Sequence, residues 1–203
     1  MNVFEELKAQ AEAGEPRAMF ELAQRYDIGV GIKQDFDLAR EWYEKAAAAD
    51  VVEAQYNLGV LYDHGRGVQR DYVKAREWYE KAAEAGDAWA QNNLGFLYSH
   101  GRGVEQDEDV ALTWYRRSAD NGHFGARFNL GVRYAQGTGV AQDYVAACLW
   151  FAIAQTNATP VEFERARKAR ESLEEDMEQD EVDRVRQMFD AWKEEQDNPD
   201  ALN

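Results

Sequence analysis

The sequence predicts an all-α protein, a solenoid of helix-turn-helix repeats with about 11 helices in one domain spanning residues 1–203. Three observations support this fold class: a repeat with a period of 36 residues, two amphipathic stretches in every repeat, and a helix-favouring composition. The period is marked by four tryptophans, Trp42, Trp78, Trp114 and Trp150. The chain has only three prolines and is rich in Ala, Glu, Lys, Leu, Arg and Gln, all of which favour helices.

The repeat covers residues 16–51, 52–87, 88–123 and 124–159. Further positions recur in the same register: Ala18, Ala54, Ala90 and Ala126; Leu22, Leu58, Leu94 and Leu130; Tyr26, Tyr62, Tyr98 and Tyr134; Gly29, Gly65, Gly101 and Gly137; Asp35, Asp71, Asp107 and Asp143. A unit of this length cannot bury both of its faces alone, so neighbouring units must stack on one another.

Each repeat contains two helices, here called A and B. In the second repeat, Ala54, Leu58 and Leu61 form an apolar stripe at helical spacing, which predicts helix A at about 52–64. The following glycines permit positive φ and end that helix. Asp71 is placed to cap helix B, predicted at about 72–85, by accepting a hydrogen bond from a backbone N–H group. A glycine inside helix A at Gly59, Gly95 and Gly131 indicates a close approach between helices, because glycine is unfavourable in a helix.

The two ends of the chain differ from its middle. Residues 2–13 predict a single N-terminal half-repeat helix, with Phe4, Leu7 and Ala11 facing inward. Residues 160–197 predict a pair of C-terminal capping helices, at about 160–176 and 179–195. The first of these opens with a capping box from Thr159 to Glu162.

The fourth helix B needs a cover, because Leu149, Ala152 and Ile153 replace the charged residues of the second repeat. We interpret the two C-terminal helices as that cover, with Val161, Phe163 and Leu173 as the apolar residues of the first. The alternative is that Leu149 and Ile153 form a dimer interface.

The net charge of −16 excludes some classes of partner. Such an acidic chain repels phosphate backbones and anionic lipids, so we expect neither nucleic-acid binding nor membrane insertion. We find no apolar run near 18 residues, and the acidic start does not resemble a secretory signal. With one cysteine, the fold needs no disulfide. We expect a cytoplasmic protein, with a periplasmic or secreted location left open if a signal peptide has been removed.

The repeat resembles the Sel1-like repeat, a relative of the tetratricopeptide repeat. The second unit carries the pattern at these residues: Ala54, Leu58, Gly59, Tyr62, Gly65, Gly67, Val68, Asp71, Ala75, Trp78, Tyr79, Lys81, Ala82 and Ala83. The resemblance covers about 16–159, and the tail is similar to the terminal helices of bacterial members. It departs at Ala23, Asp50 and Arg117, and in the apolar helix B of the fourth unit. The resemblance implies a right-handed α/α superhelix that binds proteins or peptides as a scaffold or adaptor.

No catalytic residue, metal site or cofactor is predicted. His64 and His100 share a register, but equivalent helices one repeat apart lie roughly 10 Å apart, too far for a shared zinc ion without strain. Cys148 lies in an apolar helix without a positioned base, so it is interpreted as a core residue. The Gly-x-Gly loops lack the preceding strand of a dinucleotide site and are interpreted as turns.

The side of the A helices away from the core stripe is predicted to be a concave binding face, because it holds aromatic and aliphatic residues where a solvated face would be polar. The expected partner-binding residues are Phe20, Gln24, Asp27, Glu53, Tyr56, Val60, Asp63, His64, Trp89, Asn92, Phe96, Ser99, His100, Phe128 and Val132. An alternative is that these aromatic residues pack against neighbouring A helices.

The sequence therefore predicts a non-catalytic scaffold that binds a peptide or helix of a partner protein. The acidic rim favours a ligand with apolar anchors flanked by basic residues. Two alternatives are a hydrolase-like enzyme with a site in the concave bowl, and a structural protein that self-assembles through its C-terminal repeats. We expect a monomer, with a dimer as the alternative.

Overall fold

The computed structural model describes residues 3–198, so position 2 of the first predicted helix lies outside the described residues. Within this range the chain forms helices and turns without any β-strand, which confirms the all-α fold class. Eleven helices follow one another: α1 (Val3–Glu12), α2 (Pro16–Ile28), α3 (Phe36–Ala48), α4 (Val52–His64), α5 (Tyr72–Glu84), α6 (Ala88–His100), α7 (Glu108–Asp120), α8 (Phe124–Gln136), α9 (Tyr144–Ala154), α10 (Pro160–Glu174) and α11 (Gln179–Asp197).

The chain divides into two compact units, Met1–Ala111 and Leu112–Asn203, and the boundary falls within α7. In the first unit, α1 to α6 pack in chain order, each helix against the next, and α4 also contacts α6. Its core includes the predicted stripe residues Leu22, Ala54, Leu58 and Leu61, all of which are buried. In the second unit, α9 is the central helix, because it contacts α8, α10 and α11.

The aspartate cap predicted for Asp71 is present, and an aspartate caps the B helix of each of the other three repeats in the same way. The carboxylate of Asp35 accepts from the Leu38 backbone N–H, and Asp71 accepts from those of Val73 and Lys74. The carboxylates of Asp107 and Asp143 accept in the same way at α7 and α9. Each cap satisfies donors that the first helical turn would otherwise leave unpaired.

Two of the glycines within A helices lie against aromatic rings of the paired B helices. A Cβ atom at Gly59 would overlap the ring of Tyr79, and one at Gly131 would lie 2.6 Å from Cε1 of Phe151. The predicted close approach is therefore confirmed for these two hairpins. The glycines allow each A helix to approach its B helix by the depth of a methyl group.

The two C-terminal helices pack against α9. Ala152 and Ile153 are buried in the second unit, and α9 contacts both α10 and α11. Val185 of α11 and the partly buried Leu173 of α10 pack in one cluster with Cys148. Leu149, the other residue of the proposed dimer face, is half-buried.

Of the two apolar residues expected at the start of α10, Val161 does not form this contact. Val161 is 80% exposed and Phe163 is 39% exposed, whereas Ala166 is fully buried. At 100° per residue, Val161 lies about 140° around the helix from Ala166, on the side away from α9. The capping box itself is present: the Thr159 hydroxyl accepts from the backbone N–H of Glu162, whose carboxylate accepts from that of Thr159.

Candidate functional site

The candidate surface in the first unit is the side of α2, α4 and α6 that carries Gln24, Val60 and Phe96 at equivalent positions of three repeats. We refer to it as the A-helix face. All three side chains are half-buried, so part of each reaches the surface. A glycine with positive φ terminates each of these three helices, which fixes the position of the last helical turn. These glycines are Gly29, Gly65 and Gly101.

An ion pair closes the part of this face that lies between α2 and α4. Arg17 donates to Glu53 Oε1 at 2.8 Å, and its guanidinium lies 5.0 Å from the ring centre of Phe20. Phe20 is 3% exposed. The expectation that Phe20 offers open surface is therefore wrong, because Arg17 and the Tyr43 ring, 5.9 Å away, cover it. The register pairing of Arg17 with Glu53 is visible in the sequence and could have revealed this contact.

The part between α4 and α6 is more open. Tyr56, Val60, Asn92 and Phe96 are half-buried there, Glu53 is exposed, and Trp89 at the first turn of α6 is 58% exposed. A tryptophan left this accessible is unusual, since aromatic side chains of this size are mostly withdrawn from water. The structure therefore leaves apolar surface on α4 and α6.

Two of the predicted binding aspartates hold helices together. The hydroxyl of Tyr43 donates to Asp27 Oδ2 at 3.3 Å, and that of Tyr79 donates to Asp63 Oδ2 at the same distance. Burial, followed by the adjacent carboxylate, raises the pKa of both tyrosines, which therefore stay protonated and act as donors. These pairs join α2 to α3 and α4 to α5, so Asp27 and Asp63 have a structural role that sequence analysis missed.

The second carboxylate oxygen of Asp27 is unpaired in the described part of the protein. Its Oδ1 atom is enclosed and has no hydrogen-bond partner among residues 3–198. Burial raises the pKa of Asp27, while the Tyr43 hydroxyl and the nearby Arg66 act in the opposite direction. Arg66, in the loop after α4, was absent from the predicted site.

The two histidines are exposed at the ends of α4 and α6. Nδ1 of His64 lies 3.1 Å from the Val60 carbonyl oxygen, and Nδ1 of His100 lies 2.9 Å from that of Phe96. Because a carbonyl only accepts, Nδ1 carries the proton in each bond. No group of three or more potential ligands that could hold a metal ion occurs among residues 3–198.

Phe96 and Ser99 of α6 occupy different environments. The Phe96 ring lies 4.1 Å from the ring of His100 and 4.8 Å from the guanidinium of Arg102. Ser99 is 7% exposed, and its hydroxyl donates to Glu108 Oε1. The structure thus corrects the expected exposure of Ser99, whose hydroxyl is directed toward the first residue of α7.

The second unit holds the last two predicted residues, Phe128 and Val132, both half-buried on α8. Phe128 contacts the rings of Phe124 and Phe151, and the guanidinium of Arg165 lies 4.0 Å from its ring centre. Arg165 belongs to α10, so the C-terminal cap covers part of this aromatic residue. Phe128 is therefore packed on two sides and is not the open anchor that the sequence predicted.

Cys148 is a core residue, as the sequence indicated. It is fully buried, and burial raises the pKa of its thiol to about 12, so the reactive thiolate is nearly absent at neutral pH. Among the described helices, none combines the length and apolar character needed to cross a bilayer.

Comparisons with known proteins agree with this architecture. The family model of the Sel1 repeat matches residues 16–51, 52–87, 90–123 and 125–154. The structure of a Sel1 repeat protein from Oxalobacter formigenes is 32% identical over 93% of this chain and 78% of that one, with a TM-score of 0.76. No curated protein matches the chain.

Two further bacterial structures are similar. A protective antigen of uropathogenic Escherichia coli with an SLR fold is 38% identical over 78% of this chain, with a TM-score of 0.74. The present chain spans 34% of that protein's length. An immunity protein from Pseudomonas aeruginosa shares the fold at 22% identity, over 84% of this chain and 71% of that one, with a TM-score of 0.53. With four matched repeats that cover most of its length, the chain belongs to the Sel1 repeat family.

Proposed function

We propose that this protein is a non-catalytic interaction module that holds a peptide or helix of a partner protein against the A-helix face, between α4 and α6. Sel1 repeat proteins generally mediate protein–protein interactions. The observation that carries the proposal is the accessible apolar surface of Val60, Phe96 and Trp89, since accessible apolar and aromatic side chains mark interaction sites.

The chemistry of the face favours a ligand with apolar anchors and neighbouring basic residues. Tyr56, Val60 and Phe96 offer apolar contacts, while the exposed carboxylate of Glu53 is an acceptor. The rings of His64 and His100 are exposed at the ends of these two helices. Such a surface binds aliphatic or aromatic side chains and pairs the charges beside them.

The test uses a substitution that the chain itself tolerates in another repeat. Gln24 occupies the equivalent position in the first repeat, so a Val60→Gln/Phe96→Gln variant removes apolar surface with a residue that this position already holds in that repeat. The control is Val73→Asp, which removes an exposed valine from α5 and copies Asp37 and Asp109 of other repeats. Circular dichroism and urea unfolding verify that both variants fold.

Each variant and the parent chain are used to capture proteins from a lysate of the source cells, and bound proteins are identified by mass spectrometry. We expect at least one protein retained by the parent and by Val73→Asp but lost, by about tenfold or more, with Val60→Gln/Phe96→Gln, as expected when buried apolar anchors are removed. Equal capture by all three chains would refute the location. Loss of folding in the double variant would show that these residues are core.

A further inference from the structure

A polar pocket of about 400 Å³ lies outside the A-helix face, between α3 and the loop that precedes α5. Three of its lining residues are cations, Arg40, Arg70 and Lys74. The protein as a whole carries a net charge of −16, so a concentration of positive charge in one concave site is an exception to its composition. We propose that this pocket binds an oxyanion, and that its ligand is a carboxylate of an acidic peptide segment.

The backbone holds the pocket in place. Gly67 has a φ of +65°, and a Cβ atom there would overlap that of Phe36 on α3. The loop therefore rests directly on the first turn of α3, one helical turn before Arg40. This contact brings Arg40 of the first repeat beside Arg70 and Lys74 of the second.

The cations of the pocket are weakly engaged by the protein's own carboxylates. Arg40 lies 3.7 Å from an oxygen of Asp37 and 3.9 Å from one of Glu44, so neither carboxylate is within hydrogen-bond distance of its guanidinium. Its equivalent in the next repeat, Arg76, instead donates to Glu80 at 2.7 Å. Arg40 therefore retains more capacity for an external anion than Arg76 does.

Arg70 and Lys74 form no ion pair within the described part of the chain. The guanidinium of Arg70 lies 5.3 Å from the ring centre of Tyr72, and the ammonium of Lys74 lies 5.2 Å from that of Tyr62. The pocket's one carboxylate, Asp71, is occupied with the backbone N–H groups at the start of α5. The lining thus carries three positive charges against one negative charge that is already hydrogen-bonded.

Comparison with the other repeats shows that the basic residues are a local departure. The register of Arg70 holds Gln34, Gln106 and Gln142 elsewhere. Gln34 donates to the Asp27 carbonyl oxygen at 2.7 Å, and Gln142 donates to that of Ala135 at 2.8 Å. An arginine at this position replaces the glutamine amide that makes this hydrogen bond. The position equivalent to Lys74 is also uncharged in other repeats, where it holds an apolar residue such as Val110.

A carboxylate fits this arrangement because guanidinium groups bind it through two parallel hydrogen bonds, and a lysine adds a third donor. The inference rests on the proposed function only in assigning the anion to a protein partner. The oxyanion site itself stands apart from the A-helix face and can be tested without any partner.

The experiment titrates the full, isotope-labelled chain with three probes and follows its backbone amide signals by nuclear magnetic resonance. The probes are a diglutamate peptide blocked at both ends, the matching diglutamine peptide, and inorganic phosphate. The test variant is Arg70→Gln/Lys74→Val, which installs the residues of other repeats. The control variant is Lys33→Gln/Lys193→Gln, which removes two exposed charges elsewhere.

We expect diglutamate to shift the amides of residues 67–74, diglutamine to shift none, and the test variant to weaken binding by about tenfold or more, with no more than a twofold change in the control. The affinity should fall as salt is raised. Tighter binding of phosphate than of diglutamate supports the oxyanion site but overturns its assignment to a carboxylate. No shift at residues 67–74 with either anion, or equal binding by both variants, overturns the site. The Val60→Gln/Phe96→Gln chain should bind diglutamate normally, which separates this result from the proposed function.

Discussion

A methyl group added at Gly59 should destabilise the first unit, although alanine is the better helix former. The new Cβ atom would lie 3.1 Å from Cγ of Tyr79 and nearer still to two other ring atoms. The ring is fully buried, its hydroxyl donates to Asp63, and Tyr56 packs against it at 5.9 Å, so it has no space to retreat.

The magnitude follows from two opposing contributions. Replacing glycine by alanine within a helix stabilises it by about 1 kcal/mol. Forcing a methyl group into a filled core costs up to about 3 kcal/mol, and the overlap with three ring atoms places Gly59→Ala near that limit. We therefore expect a net loss of about 2 kcal/mol in the free energy of unfolding.

The assay is urea unfolding of the full chain followed by circular dichroism, together with hydrogen exchange to locate the loss within α4 and α5. The matched variant is Ala23→Gly, the reverse change at the same register of the first repeat, where the alanine is fully buried. It should also destabilise, by roughly 1 to 2 kcal/mol, through lost helix propensity and methyl packing. A Gly59→Ala chain more stable than the parent would refute the argument from close packing.

Two further predictions concern the second unit. Burial lowers the pKa of His123 below its ordinary value of 6.5, and Nδ1 of this residue accepts from the Ala126 backbone N–H to cap α8. Below pH 6.5 the unfolded chain therefore binds a proton at this histidine more readily than the native chain does, so the free energy of unfolding should fall as the pH drops through 6.5 toward the native pKa. His123→Asn should reduce this pH dependence in urea unfolding. An unchanged pH dependence would contradict the assignment. Because burial raises the pKa of Cys148 to about 12, its thiol should react with a thiol reagent at pH 8 at least about a thousandfold more slowly in the native chain than in urea. Comparable rates would show that its covering helices open readily.

Most of the helical framework could be predicted from the sequence because its signals are local and recur. The second-repeat helix A predicted at 52–64 is α4 (Val52–His64), and Asp71 caps α5 as expected. These signals are helical periodicity, glycine at positive φ and an aspartate before the first turn. Each acts over only a few residues, so it can be recognised from the sequence alone. Four copies of the same signals remove the ambiguity that a single copy would carry.

The candidate site was less predictable, because register gives a residue's direction but not what covers it. Phe20, Tyr56 and Phe128 share one register, yet Arg17 covers Phe20, Tyr79 supports Tyr56, and Arg165 lies on Phe128. Arg165 lies 37 positions from Phe128, so no local pattern relates the two.

The sequence by itself determined the repeat, the helix order, the caps and the apolar stripe of each A helix, because each depends on neighbours within one or two turns or on copies at a fixed interval. Only the tertiary structure decided which A-helix residues reach the surface, and which way α10 turns its apolar residues. It alone brought Arg40 beside Arg70 and Lys74. The physical reason is that exposure and charge clustering depend on side chains meeting across separate helices, and those distances are set by packing.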